Sequence, residues 1–182
     1  MRLALFPLPV FLLPGGRTRL SIFEPRYNRL VSESVSTKKG FGLCLPSDSN
    51  SVYEIGTRVQ IFDFGQNENG LLTIDVKGLD RFTFQKVSTD SDGLMHAEVT
   101  RIEGWQTTEM SAKYDFILAP LKDALISHPL YLEKINNHLF DDLSWVCQRW
   151  LEILPIPTQK KYWLAKQTNI EPVVDFIRQN IK

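Results

Sequence analysis

The chain has 182 residues with 21 basic and 21 acidic side chains, so its formal net charge is zero. At 43% hydrophobic and 23% charged residues it has a globular composition, which excludes a disordered or fibrous chain. Neutrality removes the global field that draws nucleic acid or an anionic membrane, so neither is expected as a partner. Cys44 and Cys147, about a hundred residues apart, make no disulfide framework and no metal-ligand cluster; they suit a reducing, cytoplasmic setting.

Leu3 to Leu13 is strongly apolar and follows Arg2, which imitates a signal peptide. Pro7, Pro9 and Pro14 break the stretch and no small-x-small pattern follows, so a buried extended segment is expected. No run reaches the about 20 apolar residues of a membrane span. Pro25 suits a first helical position, and Tyr27, Leu30, Val31 and Val35 recur at helical spacing, with Gly40 beyond the end. Arg26, Arg29 and Glu33 fall on the opposite face. In the strand from Val59 to Phe64, Val59 and Ile61 point one way while Phe62 and Phe64 point the other, which predicts cover on both sides. Gly65 to Gly70 is a polar loop whose Asn69-Gly70 signals a hairpin. Leu72, Ile74 and Val76, then Phe82 and Phe84, then Met95, Ala97 and Val99 alternate with polar residues, predicting half-buried strands. Asp90 to Gly93 reads as a turn. Short strands at this spacing favour a barrel or sandwich.

After Trp105 the hydrophobic period becomes 3.6. Thr108 is placed to cap a helix through Tyr114, Ile117, Leu118, Leu121 and Leu125, with Pro120 bending or breaking it. Asp141 or Asp142 caps a clearer helix, whose stripe is Leu143, Val146, Cys147, Trp150, Leu151 and Leu154. Pro155 and Pro157 end it. Thr158 caps another helix through Tyr162, Trp163 and Ala165, and Pro172 starts the last.

The motifs of catalysis are missing. There is no phosphate-binding Gly-x-x-x-x-Gly-Lys-Ser/Thr loop, no Gly-x-Gly-x-x-Gly and no Gly-x-Ser-x-Gly elbow. His96, His128 and His138 are scattered, and no metal or cofactor is implied. Cys147 belongs to an apolar stripe and Cys44 to a strand core, where thiols pack and stay inert. His96 falls on the polar face of its strand and reads as a solvated surface histidine. Asp141 and Asp142 read as capping chemistry, since sequence neighbours diverge in direction. What remains is aromatic surface. Trp145 lies roughly 200° from Leu143 at about 100° per residue, on the side of Gln148, Arg149 and Glu152. It is either covered by another element or open to a partner. Trp105, at the junction of the halves, poses the same question. Lys160 and Lys161 beside Tyr162 and Trp163 are explained by a solvated helix face.

Leu5-Phe6-Pro7-Leu8, Leu12-Leu13-Pro14-Gly15-Gly16 and, most specifically, Leu20-Ser21-Ile22-Phe23-Glu24-Pro25-Arg26-Tyr27 resemble the opening of the Lon protease N-terminal domain family. Phe41-Gly42, Val52 through Gly56-Thr57, and Gly78 with Arg81-Phe82 follow in the family's order. Leu143-Ser144-Trp145 through Leu154-Pro155 and the Lys160–Leu164 segment are similar to its helical part. The resemblance implies an α+β fold: a PUA-like β pseudobarrel with one inserted short helix over residues 1–104, then a helical subdomain over 105–182 packed on it. It also implies a stand-alone, non-catalytic relative of the substrate-binding part of Lon, without ATPase or protease modules. The motif residues have physical roles of their own. Pro14, Gly15 and Gly16 turn the chain, Pro25 starts the helix, Glu24 and Arg26 tie the corner by ion pairs, and Phe23 and Tyr27 bury against strands. Gly78, Arg81 and Phe82 belong to the same structural set.

The leading expectation is therefore a polypeptide-recognition or adaptor module for unfolded or partly folded chains, working with a protease or chaperone. Phe64, Trp105 and Trp145 are the candidate contacts on aromatic surface between barrel and helices. The alternatives are an RNA-binding PUA-like module, against which neutral charge counts, and a small-molecule sensor, for which no residue speaks.

Overall fold

In the computed structural model, which describes residues 1–47, 52–131 and 136–181, the chain divides into two compact units, Met1–Glu103 and Gly104–Lys182. The first holds strands β1 (Arg2–Pro7), β2 (Arg17–Ile22), β3 (Phe41–Pro46), β4 (Val52–Gln66), β5 (Leu72–Thr83), β6 (Val87–Thr89), β7 (Met95–Glu98) and β8 (Thr100–Ile102), with helix α1 (Pro25–Thr37) between β2 and β3. They form one sheet in the order β2-β5-β4-β3-β1-β7-β6, with β8 also on β5. β1 and β3 are parallel and the other pairs antiparallel, so this is a mixed α+β fold.

The apolar amino-terminal run is explained by two cores. Ala4 and Phe6 face one cluster with Phe41, Leu43 and the α1 residues Leu30 and Val31. Leu3 and Leu5 face the other, with Cys44, Phe82, Phe84 and Ala97. A strand buried on both faces reads as a continuous apolar run. β1 and β3 are these doubly covered strands.

β5 replaces two expected strands with one. Its register against β4 shifts between Arg58 and Val59. Such an irregularity bends the pair, and β5 thereby sends Ile74 and Val76 into one core and Phe82 into the other. The polar side of β5 is not in water as alternation predicts. Asp75 is buried because Arg19, opposite it on β2, covers it and donates Nε and Nη2 to its carboxylate at 2.7 and 2.8 Å.

Most motif residues lie at close contacts. The Pro14-Gly15-Gly16 turn locks onto β5, with Gly15 N–H donating to Gly78 O at 2.8 Å and Gly78 N–H to Gly16 O at 2.9 Å. A Cβ on Gly78 would run into Leu13 O. The Phe82 ring occupies space that side chains on Gly42 and Gly56 would fill. Arg81 is buried, and burial lowers its pKa. Pro25 opens α1, Tyr27 stacks on Phe6 with centroids 4.0 Å apart, and Arg26 pairs with Glu24 at 2.8 Å.

Three expectations are corrected in this unit. Phe23 does not bury; it is 65% exposed. Ile22 faces the core, so the next residue of the extended chain turns to the uncovered face. Val35 is also exposed, while Ser34 is buried beneath α1. Val35 lies about 80° from Tyr27 at about 100° per residue, at the margin of the stripe. His96 is no surface histidine. It pairs with Ala4 on β1, shares that residue's α1-covered face, and is buried with Nε2 3.0 Å from Glu33 Oε2 and Nδ1 3.5 Å from Asp90 Oδ2. Arg29 spans Glu33, Asp90 and Asp92, fastening α1 to the turn before β7.

The second unit holds helices α2 (Asp115–Ile126), α3 (Leu143–Ile153), α4 (Thr158–Ala165) and α5 (Glu171–Asn180), with short 3-10 turns at Ala112–Tyr114 and Asn137–Asp141. α3 is central, and its whole expected stripe is buried. Asp142 caps it, accepting from Ser144 N–H at 2.9 Å. Thr108 caps nothing: its N–H donates to the same carboxylate at 3.1 Å, and its segment runs extended beside residues 141–143. Pro120 stays inside α2. Pro157, not Thr158, is the residue before α4. Lys161 is not on a solvated face, since its ammonium donates to Glu152 O at 2.8 Å and burial lowers its pKa.

Candidate functional site

Of the candidate contacts, Phe64 is the one the structure exposes most. β3 pairs with β4 only as far as Phe41 opposite Val59. Beyond that point β4 continues on β5 alone, down to Gln66 opposite Leu72. The two strands thus project as a hairpin end with β2 on the far side of β5. The connecting loop is held by its own residues: Asn67 Oδ1 accepts from Asn69 N–H at 3.0 Å and Leu71 N–H at 2.9 Å, and Gly70 takes φ 75°. This is the expected hairpin, closed by a loop longer than two residues.

Phe64 lies opposite Ile74, and Ile74 lies opposite Leu20. Directly opposed residues share a face, and Ile74 and Leu20 are in the core. Phe64 therefore continues the apolar inner face past its rim, where it is 53% exposed. A register shift between Ile61 and Asp63 makes Phe62 the extra residue of a bulge. Its ring meets Arg17 with the guanidinium carbon 5.3 Å from the centroid. The expected cover on both sides of this strand is therefore corrected, because the rings of Phe62 and Phe64 both stay exposed among the described residues. Leu71 and Phe23 add exposed apolar groups at this end of the sheet, since Phe23 follows Ile22, the partner of Leu72.

Trp105 is half-buried in the second unit, with its indole N–H donating to Gln167 O at 2.7 Å. Trp145 is corrected as a surface candidate. It is 6% exposed, with Phe140 edge-on at 5.4 Å and the Arg149 guanidinium over its ring at 5.0 Å. Two-sided helical patterning misplaces it because the 3-10 turn covers the flank of α3 that faces away from the stripe. Arg149 is likewise fully buried, and it grips Glu152 through Nε and Nη2, each at 2.8 Å. Trp163 on α4 is exposed, with the Lys160 ammonium over its ring at 4.3 Å.

The cysteines are inert by environment. Burial pushes the Cys44 thiol up to about 12 and raises that of Cys147 as well. Among the described residues no His, Cys, Asp and Glu group could hold a metal ion, and no helix is long and apolar enough to cross a membrane. Among the described residues the first unit has several concavities. One of about 1080 Å³ is lined by Phe84, Val87 and Ala97 with Arg2, Lys86 and His96. Another of about 290 Å³ lies at the motif corner, lined by Leu5, Glu24, Arg26, Tyr27 and Met95.

The mixed sheet followed by a helical unit is the architecture of Lon N-terminal domains. A crystal structure of a Lon N-terminal domain protein from Xanthomonas campestris superposes with a TM-score of 0.76 at 28% identity, covering 100% of this chain and 99% of that one. The N-terminal domain of Mycobacterium avium complex Lon protease shares the fold at TM-score 0.66 and 12% identity, with 98% and 97% covered. The family model for the ATP-dependent protease La (LON) substrate-binding domain matches residues 2–172. The chain belongs to that family.

Proposed function

We propose that this protein is a non-catalytic polypeptide-recognition module that binds unfolded or partly folded chains in the cytoplasm and serves a protease or chaperone as an adaptor. The observation that carries the reading is Phe64, an aromatic side chain extending a buried face into solvent at the free end of β4 and β5. Exposed apolar surface that continues a core marks an interaction site. An unfolded segment can bury its own apolar groups there without a fixed sequence. Membership of a substrate-binding family supports the same reading. Trp105 is a secondary contact on this reading, its ring half open and its N–H already satisfied.

The test compares lysozyme kept unfolded by reduction and carbamidomethylation with native lysozyme, each titrated into the protein. Binding of the unfolded form alone is expected, weakened about fivefold or more by Phe64→Ala, the loss expected when an aromatic contact is truncated. The thermal midpoint of the variant should stay near that of the parent. Equal binding of native and unfolded lysozyme, or no binding of either, would overturn the reading. Unchanged affinity in Phe64→Ala would remove the β4 end from it.

A further inference from the structure

Among the described residues, β4 beyond Val59 has β5 on one side and no strand on the other, so the exposed backbone from Ile61 to Gln66 forms an open sheet edge. At about 3.3 Å per residue that edge is roughly 20 Å long. Open edges are normally blunted by lysine, proline or brevity, because their unpaired N–H and C=O groups template pairing with another chain. β2, the edge on the other side of β5, carries Arg17 and Arg19, and β6 is only three residues long. From Ile61 to Gln66 the β4 edge carries no lysine or proline; besides the Phe62 bulge and Asp63 it presents the rings of Phe62 and Phe64.

One hydrogen bond shows the state of this edge. The Phe64 N–H does not go to β5; it donates to Asp63 Oδ1, the carboxylate of its own neighbour, at 2.9 Å. In an antiparallel ladder a residue directs its N–H and C=O either to its partner strand or away from it. Phe64 thus directs its backbone groups outward, and the Asp63 carboxylate stands where a carbonyl oxygen of an added strand would accept. Charge identifies the occupant. From Ile61 to Leu71 the chain carries Asp63 and Glu68 and no basic residue, and the arginines of neighbouring β2 are engaged, Arg19 by the Asp75 carboxylate and Arg17 on the Phe62 ring.

We infer that the Ile61–Gln66 edge of β4 binds an extended polypeptide segment by strand addition, and that it selects apolar segments flanked by lysine or arginine. This rests on the polypeptide-binding reading above and names its mode. Main-chain hydrogen bonds supply sequence-independent affinity, alternate side chains of the guest pack on Phe64, and the flanking cations meet Asp63 and Glu68. An edge that reads backbone suits a protein that must hold many different unfolded sequences.

The experiment uses the full chain and the fluorescent peptide Lys-Lys-Val-Phe-Val-Tyr-Val-Lys-Lys, with an analogue N-methylated at alternate residues of its apolar stretch. Methylation deletes guest N–H donors and keeps every side chain. Binding is followed by anisotropy and by amide hydrogen exchange of the protein. Strand addition predicts about tenfold or greater protection at Phe64 and Gln66, and a loss of affinity of about tenfold or more on N-methylation. Asp63→Lys should abolish binding by guarding the edge, while Asp63→Asn, which keeps an acceptor, should weaken it only a few-fold. Equal binding of the methylated peptide overturns the inference, as does protection confined to β6 or β2. A dimer paired through β4 in the absence of peptide also overturns it, because a second copy would then be the occupant. If unfolded lysozyme binds and neither peptide does, strand addition fails while the broader reading stands.

Discussion

Glycines 42 and 56, with Gly104 at the start of the second unit as a control, set up a graded test of how tightly the first unit is packed around Phe82. A methyl group on Gly56 would stand 2.5 Å from Phe82 Cζ, 2.7 Å from Cys44 Sγ and 2.8 Å from Leu43 O. The last of these is a backbone atom fixed in the β3 ladder, so the site cannot open by rotating a side chain. Overpacking a well-filled core costs about 1–3 kcal/mol, and Gly56→Ala falls at the upper end, about 3 kcal/mol. At about 2–4 °C per kcal/mol for a chain of this length, its thermal midpoint should drop by roughly 6–12 °C. On Gly42 the new methyl would meet Leu5 Cδ2 and Phe82 Cζ, both at 2.7 Å. Both are ends of side chains that can yield, so Gly42→Ala should cost about 1 kcal/mol. Gly104 has no heavy atom within 4 Å of the added carbon, and Gly104→Ala should leave the midpoint unchanged or slightly raised. Thermal unfolding by circular dichroism reads all of them. Adding Phe82→Leu to Gly56→Ala should restore little, since the contacts with Cys44 and Leu43 remain. A Gly56→Ala midpoint within about 1 °C of the parent, or a larger loss at Gly42 than at Gly56, would refute this packing argument.

Asp90 and Asp92 are held below their ordinary 3.8, Asp90 first by the Arg29 hydrogen bond, Asp92 first by the Leu94 N–H and then by Arg29. Depressed carboxylates stabilise fully above their unfolded value and lose this as pH falls through the folded one. Urea midpoints should therefore hold above about pH 5 and fall from about pH 4 downward, with a shallower fall in Arg29→Ala; equal acid loss in the variant would count against the cluster. Asp142→Ala removes the α3 cap and strands the Thr108 N–H, which should lower stability by about 2 kcal/mol, while exposed Asp141→Ala should change little. Ellman's reagent should find both thiols unreactive in the folded protein and reactive in denaturant, since Cys44 and Cys147 are buried and their thiolates disfavoured.

The sequence displayed those features whose cause is local or periodic. The α3 stripe was legible because each of its members faces the same core, and the Pro25 helix start and the Asn69-Gly70 hairpin because turn and cap chemistry is written in adjacent residues. What patterning could not display was cover supplied from far along the chain. His96 alternates as a surface residue should, yet it is buried because it and its partner Ala4 lie beneath α1, whose Glu33 comes 63 residues before His96. Trp145 sits on the polar side of its helix and is closed over by Phe140 from the preceding turn. The opposite error occurs at Phe62 and Phe64, whose two-sided apolar pattern implies cover, whereas β3 stops pairing at Val59. Where a neighbouring strand ends is a property of register, and no window of β4 contains it.

That same register divides labour within the first unit. The family-motif residues Gly15, Gly78 and Phe82 lie where backbone meets backbone or ring meets backbone, so their identities are set by clearance. They fix how β2, β4 and β5 align and hence how far β4 runs past β3. None of them lies on the exposed edge from Ile61 to Gln66. If that edge holds its guests through main-chain groups, the chemistry of recognition needs only an extended backbone in the right place, with side chains that do not obstruct it. A motif consisting of turns, glycines and a buried ring is then what such a function requires, and the absence of any catalytic constellation in the chain's sequence carries no contradiction. The consequence is testable at a distance: Gly78→Ala, which would press the new methyl into Leu13 O, one residue from the Leu12 O that Thr57 of β4 holds at 2.6 Å, should weaken unfolded-lysozyme binding even though Gly78 lies outside the edge. Phe84→Leu, which trims the other core, should lower stability comparably through lost apolar burial and leave binding intact. Equal effects of the two variants on binding would mean that stability alone, and not the register of β4, governs recognition.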